Sequence, residues 1–542
     1  MADEPVAGTS GRRASTSARA LPPAPSAADI RLVITASALG TVFEWYDFFI
    51  YGTLAAAGII GRAFFPAGSE TARTLLAWAG FAIGFGFRPL GAVVFGYLGD
   101  RLGRKYTFLV TVALMGVATA GVGLVPSAAT IGWAAPAIVL LLRIAQGLAL
   151  GGEYGGAAIY VAEHSPPGRA GFYTSFIQAG VVGGFVLSLA VVLVAKALLP
   201  AGAWDAWGWR VPFWFSLALL ALSLWMRLRL SESPVFEAMR AAGTRAANPV
   251  AESFRHPGNV RRMLVALFGI AAGLTVIWYT AQFTVLSFLA GPMRVDETTA
   301  QLLTGAGAIA GLGWFVFFGR LSDRVGRKRP IVIGYCATLV LLFPIFWALG
   351  AAANPGLARA ARTAPAVVSG PVCAYSPFAT TQADACGRIL DHLSRKGVAY
   401  TKARAVRTGV TIAGRPLADT SPAGLDGALA AAGWPSGKVR PDAPHLVLML
   451  LAIVALGALS GATFGPVAAL LSEYFPAPIR YTSMSLPYHL GTGYFGGFLP
   501  LVSQYIVARS GDPYAGPWYT IVVVAMALAV TWWGLDERVP PG

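Results

Sequence analysis

The chain has 542 residues, 56% of them hydrophobic and 12% charged, with a formal net charge of +16. A soluble domain carries about 25% charged residues, so an ordinary soluble enzyme is excluded, and the apolar fraction excludes global disorder. The positive charge does not read as a nucleic-acid footprint, since no basic run is interleaved with base-stacking aromatics. It fits instead the Lys and Arg that collect in short cytoplasmic loops of polytopic membrane proteins.

In chain order, residues 1–30 are rich in Ala, Pro, Ser and Arg and read as a disordered cytoplasmic tail without the apolar core of a signal peptide. Twelve stretches reach the roughly 20 apolar residues that a spanning helix needs: 32–60, 72–98, 106–125, 132–162, 170–197, 208–228, 262–289, 298–319, 329–350, 445–471, 481–508 and 514–534. A polar, basic linker (230–261) separates spans six and seven, and a larger polar block (351–444) separates spans nine and ten. The expectation is an all-α membrane protein of twelve transmembrane helices in two six-helix pseudo-symmetric bundles. The units are then a first bundle at 31–229, the cytoplasmic linker, helices 7–9 at 262–350, a small extracytoplasmic insertion between helices 9 and 10 at 351–444, and helices 10–12 with a short tail at 445–542. Basic residues set the orientation. Arg227, Arg229, Arg240, Arg245, Arg255, Arg261 and Arg262 crowd between the halves, whereas Arg62, Arg73, Lys196, Arg210, Arg294 and Arg509 are the basic residues of the short loops opposite. Long domains cross regardless of charge. Both termini are therefore expected in the cytoplasm and the block outside, in a bacterial-type inner membrane.

Two internal repeats support the two-bundle reading. Gly96-Tyr-Leu-Gly-Asp-Arg-Leu-Gly-Arg-Lys105 follows span two, and Gly319-Arg-Leu-Ser-Asp-Arg-Val-Gly-Arg-Lys328 follows span eight. After spans four and ten, Glu163, Arg169 and Thr174-Ser175 recur as Glu473, Arg480 and Thr482-Ser483. The second set is spaced more widely than the first by roughly the length of the polar block, which marks that block as an insertion. Parallel repeats around a midplane site are a transporter architecture.

These paired motifs resemble the major facilitator superfamily. Phe43-Glu-Trp-Tyr-Asp-Phe-Phe-Ile-Tyr51, Phe87-Arg-Pro-Leu-Gly91, Arg143-Ile-Ala-Gln-Gly147, Gly151-Gly-Glu-Tyr-Gly-Gly156 and Ser231-Glu-Ser-Pro234 resemble its metabolite:proton symporter family. The resemblance covers about 30–350 and 445–535. It implies import of organic acids, zwitterions or related solutes, with first-span acids and the fourth-span Arg in coupling and substrate binding.

Five ionisable residues fall well inside spans, all in the first half: Glu44, Asp47, Arg88, Arg143 and Glu153. Intramembrane charges are by default functional candidates. Glu44 and Asp47 are three apart on one helix face, and two close carboxylates in low dielectric do not both ionise easily, which suits a proton carrier. Arg143 or Arg88 could pair with the deprotonated acid and release it on protonation. Glu44, Asp47 and Arg143 are thus the expected proton-coupling residues. A permanent Arg in a cavity also suits a carboxylate, which it can grip bidentately. Arg88, Glu153, Gln146, Gln178, Trp278, Tyr279, Gln282, Tyr488 and His489 are the candidate substrate-binding residues, although several could equally be helix packing.

In the repeated motif, Asp100 with Arg101, Arg104 and Lys105, and Asp323 with Arg324, Arg327 and Lys328, are expected to form charge latches at the cytoplasmic face. Glu163–Arg169 and Glu473–Arg480 are candidates for further pairs there. Gly491-Thr-Gly-Tyr-Phe-Gly496 matches a dinucleotide-binding pattern, but it lies within a span and reads as close helix packing. Span five has no Gly-Pro pair, which favours symport over exchange. No phosphate-binding loop, metal cluster or nucleophile elbow is present, so no cofactor, metal or ATP drive is expected, and the partners are a small-molecule substrate, protons and the lipid bilayer, with the protein a monomer. In the insertion, Cys373 and Cys386 should face an oxidising compartment and form a disulfide, with helices at 382–396 and 421–433 and a hairpin over 398–412. Cys336 reads as a packing residue in span nine. The leading reading is a proton-coupled importer working by alternating access. The alternatives are an antiporter or efflux transporter of the same fold, and a non-transporting sensor that uses the insertion.

Overall fold

The structure is a computed structural model, and it describes residues 27–66, 69–102, 104–152, 154–228, 249–379, 381–476 and 479–536. The tail before residue 27, the linker stretch 229–248 and Glu153 lie outside the described residues, as do the side chains of Asp100, Arg101, Arg104 and Lys105.

All twelve apolar stretches are helical. Span one is Ala27–Ala56, span two Glu70–Gly86 with Arg88–Leu102, span three Arg104–Leu124, and span four Ala134–Gly151 with Tyr154–Glu163. Span five is Ala170–Leu198 and span six Val211–Leu228. Span seven runs from Asn259 to Ala290, span eight is Glu297–Val325, and span nine Lys328–Ala353. Span ten is Ala443–Phe464 with Val467–Tyr474, span eleven runs from Arg480 to Ser510, and span twelve is Trp518–Gly534. Among the described residues, eight of these are long and apolar enough to cross a membrane by length and composition alone. Spans three and twelve have shorter apolar cores, and span eleven is interrupted.

Small residues let the helices close up. A β-carbon on Gly147 of span four would collide with the Gly84 carbonyl of span two, and one on Gly151 with the Arg88 carbonyl. In a membrane, where lipid is as apolar as the helix surface, such close approach is a principal source of packing energy. Spans seven and eleven contain π-helical turns, at Val265–Ala271, Thr280–Thr284 and Gly491–Gly497. The Gly-rich Gly491–Gly497 turn lies against Phe85 and Ala271, as close packing requires.

The block after span nine folds as a small α/β unit. A short helix, Pro355–Thr363, leads into β1 (Ala366–Gly370); helix Ala385–Arg395 follows, then β2 (Tyr400–Arg404), β3 (Gly409–Ile412), β4 (Arg415–Pro416) and helix Pro422–Ala431. The strand order is β2-β1-β3-β4, with β1 parallel to β2 and antiparallel to β3. The expected hairpin over 398–412 is therefore corrected. Its two strands do not pair with each other, because the apolar strand Ala366–Gly370 inserts between them. The hairpin is one strand later, where β3 turns into β4 through Ala413 (φ 52°) and Gly414 (φ 75°), the positive angles that a tight two-residue turn demands. Cys373 and Cys386 are disulfide-bonded, with Cα atoms 5.2 Å apart. Cys336 is free and exposed, not a packing residue, because it faces away from the neighbouring helices.

Candidate substrate and proton site

Span one presents its Phe43–Tyr51 motif in three directions. Phe48 and Tyr51, three residues apart, bracket the guanidinium of Arg143, whose Cζ is 4.2 Å and 4.5 Å from the two ring centroids. Phe49 stacks on Trp278 of span seven at 5.1 Å and packs on Phe283 at 5.4 Å, so it meets the second half. Tyr46 and Asp47 turn toward span six, where the Tyr46 hydroxyl donates to the Pro212 carbonyl at 2.6 Å and Ser216 faces the Asp47 carboxylate.

Arg143 is fully buried. Its Nη1 donates to Gln146 Oε1 at 2.6 Å and the Phe48 carbonyl at 3.4 Å, and its Nε to the Gly80 carbonyl at 3.5 Å; Nη2 has no partner among the described residues. Of the two arginines expected to pair with a first-span acid, Arg143 makes no such ion pair among the described residues. Carbonyls, an amide and two aromatic faces solvate the cation instead, because Phe48 and Tyr51, not the acids, occupy the side of span one that meets span four. Asp47 is 5% exposed, forms no ion pair among the described residues, and has one oxygen without a partner there. Glu44 is half-buried one turn before it.

Thr119 of span three links these groups. It accepts from Gln146 Nε2 at 2.6 Å and donates to the Met115 carbonyl at 2.8 Å, with the Asp47 carbonyl at 3.4 Å. Thr119, Tyr51 and Ser216 were not among the expected residues. Tyr51 shares a face with Phe48 in the aromatic motif, and that spacing could have indicated it. Thr119 and Ser216 are isolated polar groups in apolar spans and carried no such signal.

Arg88 opens the second segment of span two. Pro89 lacks the N–H that would reach Phe85, which breaks the helix there. Arg88 is fully buried, lies over the rings of Trp45 (5.2 Å) and Phe85 (5.1 Å), and reaches Thr492 of span eleven at 3.4 Å. From the second half come Trp278, Tyr279 and Gln282, each at most 3% exposed, with Trp278 Nε1, Tyr279 OH and Gln282 Oε1 lacking partners among the described residues. Gln178, Tyr488 and His489 are also buried. Buried polar atoms are normally satisfied, so Trp278, Tyr279 and Gln282 hold hydrogen-bonding capacity that the described residues do not use.

The end that carries the repeated motifs is clasped across the halves. Asp323 accepts from the backbone N–H of Gly171 and Phe172, both at 2.8 Å, in the first turn of span five. A carboxylate is favoured there because helix N-termini carry unsatisfied donors and positive dipole. Arg327 pairs with Asp323 at 2.6 Å and holds Glu473 through two nitrogens, at 3.1 and 2.8 Å. Arg480 pairs with Glu163 at 3.4 Å, and the Tyr481 hydroxyl donates to the Gly152 carbonyl at 3.1 Å. The expected local partners are thus exchanged: Glu163 reaches across the halves to Arg480, because the pseudo-symmetric loops meet face to face, whereas Glu473 pairs within the second half with Arg327 of the motif. Arg169 starts span five without an ion pair among the described residues, Arg324 is exposed, and Lys328 caps span twelve through the Trp532 and Leu535 carbonyls. At the opposite end Lys196 and Glu297 are 3.7 Å apart, joining spans five and eight.

The Major Facilitator Superfamily model matches residues 36–390. The shikimate transporter of Escherichia coli (strain K12) is 39% identical over 318 residues, covering 58% of this chain and 71% of that protein. The inner membrane metabolite transport protein YhjE of the same organism is 31% identical over 486 residues, 88% of each chain. A solved structure of the xylose transporter XylE from E. coli, in a partially occluded inward open conformation, matches with a TM-score of 0.59 at 18% identity, covering 95% of this chain and 99% of that one, a likeness of fold. The chain is a transporter and not an enzyme, and it belongs to the Major Facilitator Superfamily, in its metabolite:proton symporter family.

Proposed function

We propose that this protein imports a small organic acid or zwitterion together with protons by alternating access. One observation carries the reading: the Arg143 guanidinium is fully buried in the first half, wrapped in aromatic rings and within electrostatic reach of Tyr279 of the second, with one nitrogen lacking a partner among the described residues. That nitrogen would grip a substrate carboxylate. Trp278, Tyr279 and Gln282 would bind the rest of the solute from the other half, with Arg88, Gln146, Gln178, Tyr488, His489 and Glu153 as further lining groups. Asp47, with Glu44 beside it, would take the proton. The Gln146–Thr119 bond chain supports communication between the cation and span one. The aromatic faces suit the apolar or cationic part of a zwitterion.

The distribution of Lys and Arg supports cytoplasmic termini and an external insertion in the inner membrane. In the cycle, the Asp323, Arg327, Glu473, Glu163 and Arg480 clasp, with the first motif copy, opens to release solute inward. The protein acts as a monomer. Uptake of labelled carboxylates and betaines into proteoliposomes under an imposed pH gradient tests this reading. Accumulation that follows the gradient is expected. Export, or binding without net flux, would overturn it.

A further inference from the structure

The insertion is fastened to the second half at many points. Arg294, in the turn between spans seven and eight, donates to the carbonyls of Lys396 (3.3 Å), Pro435 (3.1 Å) and Ser436. Arg509, at the end of span eleven, donates to the Tyr375 carbonyl at 2.7 Å, and Lys402 donates to the Arg509 carbonyl at 2.9 Å. Main-chain bonds join Asp296 with Val439 and Val439 with Arg294, both at 2.8 Å, and Tyr400 with Gly511 at 3.3 Å.

It also reaches the first half at the entrance to span two. Ser69, immediately before that helix, donates to Asp391 Oδ1 at 3.2 Å. The Tyr375 hydroxyl donates to the same oxygen at 3.2 Å and is in hydrogen-bonding contact with Thr71. Arg395 holds the other Asp391 oxygen at 3.2 Å. The Cys373–Cys386 disulfide ties the loop that bears Tyr375 to the first turn of the helix that bears Asp391. Burial, chiefly, keeps the Tyr375 phenol above its ordinary pKa, so it remains a donor.

We propose that the insertion is a strap that rides with the second half, and that Asp391 and Tyr375 are gate residues which must release Ser69 and Thr71 before the halves part at that end. The proposal rests on the alternating-access reading. Bonds of 3.2 Å between bodies that separate by several ångströms cannot survive the opening, so each bond holds that end shut.

Two measurements test it. Ser287 lies on span seven four residues beyond Phe283, on the same face, and is 8% exposed. With Cys336→Ser in the background, Ser287→Cys becomes a reporter of opening in protein purified into lipid nanodiscs, read by its rate of modification with a polar maleimide. Asp391→Ala combined with Tyr375→Phe is expected to raise that rate about tenfold, as the loss of hydrogen bonds to a charged group implies. Second, Ser69→Cys with Asp391→Cys, joined by a short bismaleimide, is expected to lose uptake at least tenfold relative to the unlinked pair. A rate changed less than twofold in folded protein, or undiminished uptake after linking, overturns the strap. The maleimide assay reads opening whether or not a solute has been found, so the strap can fail or stand independently of the transport reading. Should the weakened variant not fold, the linked pair still decides.

Discussion

The two halves share a fold and a motif, yet they bring different chemistry to the centre. The described interior of the first carries Asp47, Arg88 and Arg143, all at most 5% exposed. The second offers Trp278, Tyr279, Gln282, Tyr488 and His489, on helices with π-helical turns. Pseudo-symmetry thus constrains the backbone and leaves the chemistry free. One half manages buried charge, and the other supplies rings, amides and irregular backbone. π-Helical turns re-aim side chains without ending a helix, and Thr280–Thr284 follows directly on Trp278 and Tyr279 and contains Gln282.

The largest test of this division removes its charge. Arg143→Ala should lower gradient-driven uptake at least about a hundredfold, the loss expected for a charge-assisted grip in a dry site. Arg143→Lys should not restore it, since an ammonium cannot reproduce the planar fork between two rings. Normal uptake in Arg143→Ala would erase the distinction between the halves. Asp323→Ala removes the acceptor of the Gly171 and Phe172 N–H groups and one of the two carboxylates that Arg327 holds, and should cost about 3 kcal/mol in thermal unfolding of the purified protein. Lys196→Ala at the other end, where the lysine is 31% exposed, should cost under about 1 kcal/mol. Asp47→Asn should reduce gradient-driven accumulation about tenfold while exchange of labelled for unlabelled solute continues. Retained accumulation would show that the proton binds elsewhere.

Trp278→Phe sharpens the comparison from the other side. It keeps the ring against Phe49 and deletes one donor, so KM should rise about fivefold, one hydrogen bond's worth, with coupling to pH unchanged. The smallest effect lies in the insertion. Burial alone would raise the Asp426 pKa, but bonds from His392 and Lys396 outweigh it and hold the carboxylate below its ordinary value of 3.8. Its contribution is therefore complete above pH 3.8 and is lost as pH falls through the lowered value. Hydrogen exchange along Ala385–Arg395 should accelerate only below that pH, and Asp426→Asn should remove the step.

The spans were legible because a bilayer leaves the backbone little choice, and the motif copies, read with their spacing, marked the insertion. Partners were less legible. Arg143 and the acids are both intramembrane, and opposite charge suggested a pair. Which face of span one meets span four depends on packing, and Phe48 and Tyr51 occupy it. Glu163 and Arg169 stand close in sequence, but Arg480 is nearer in space. Within the insertion, β3 and β2 adjoin in sequence and are separated by a strand from more than thirty residues earlier, a non-local pairing that turn chemistry cannot signal.

The Asp323 clasp has a consequence for how this fold can vary. Its two donors at the start of span five belong to the main chain, so no exchange of side chains at 171 or 172 deletes them; only proline, which has no such hydrogen, would. A lock keyed to peptide groups tolerates sequence drift at Phe172 but not at Gly171, where a β-carbon would collide with the Arg327 guanidinium and the Gly319 carbonyl, so Gly171 on one jaw and the acid Asp323 on the other are the positions through which substitution can loosen it.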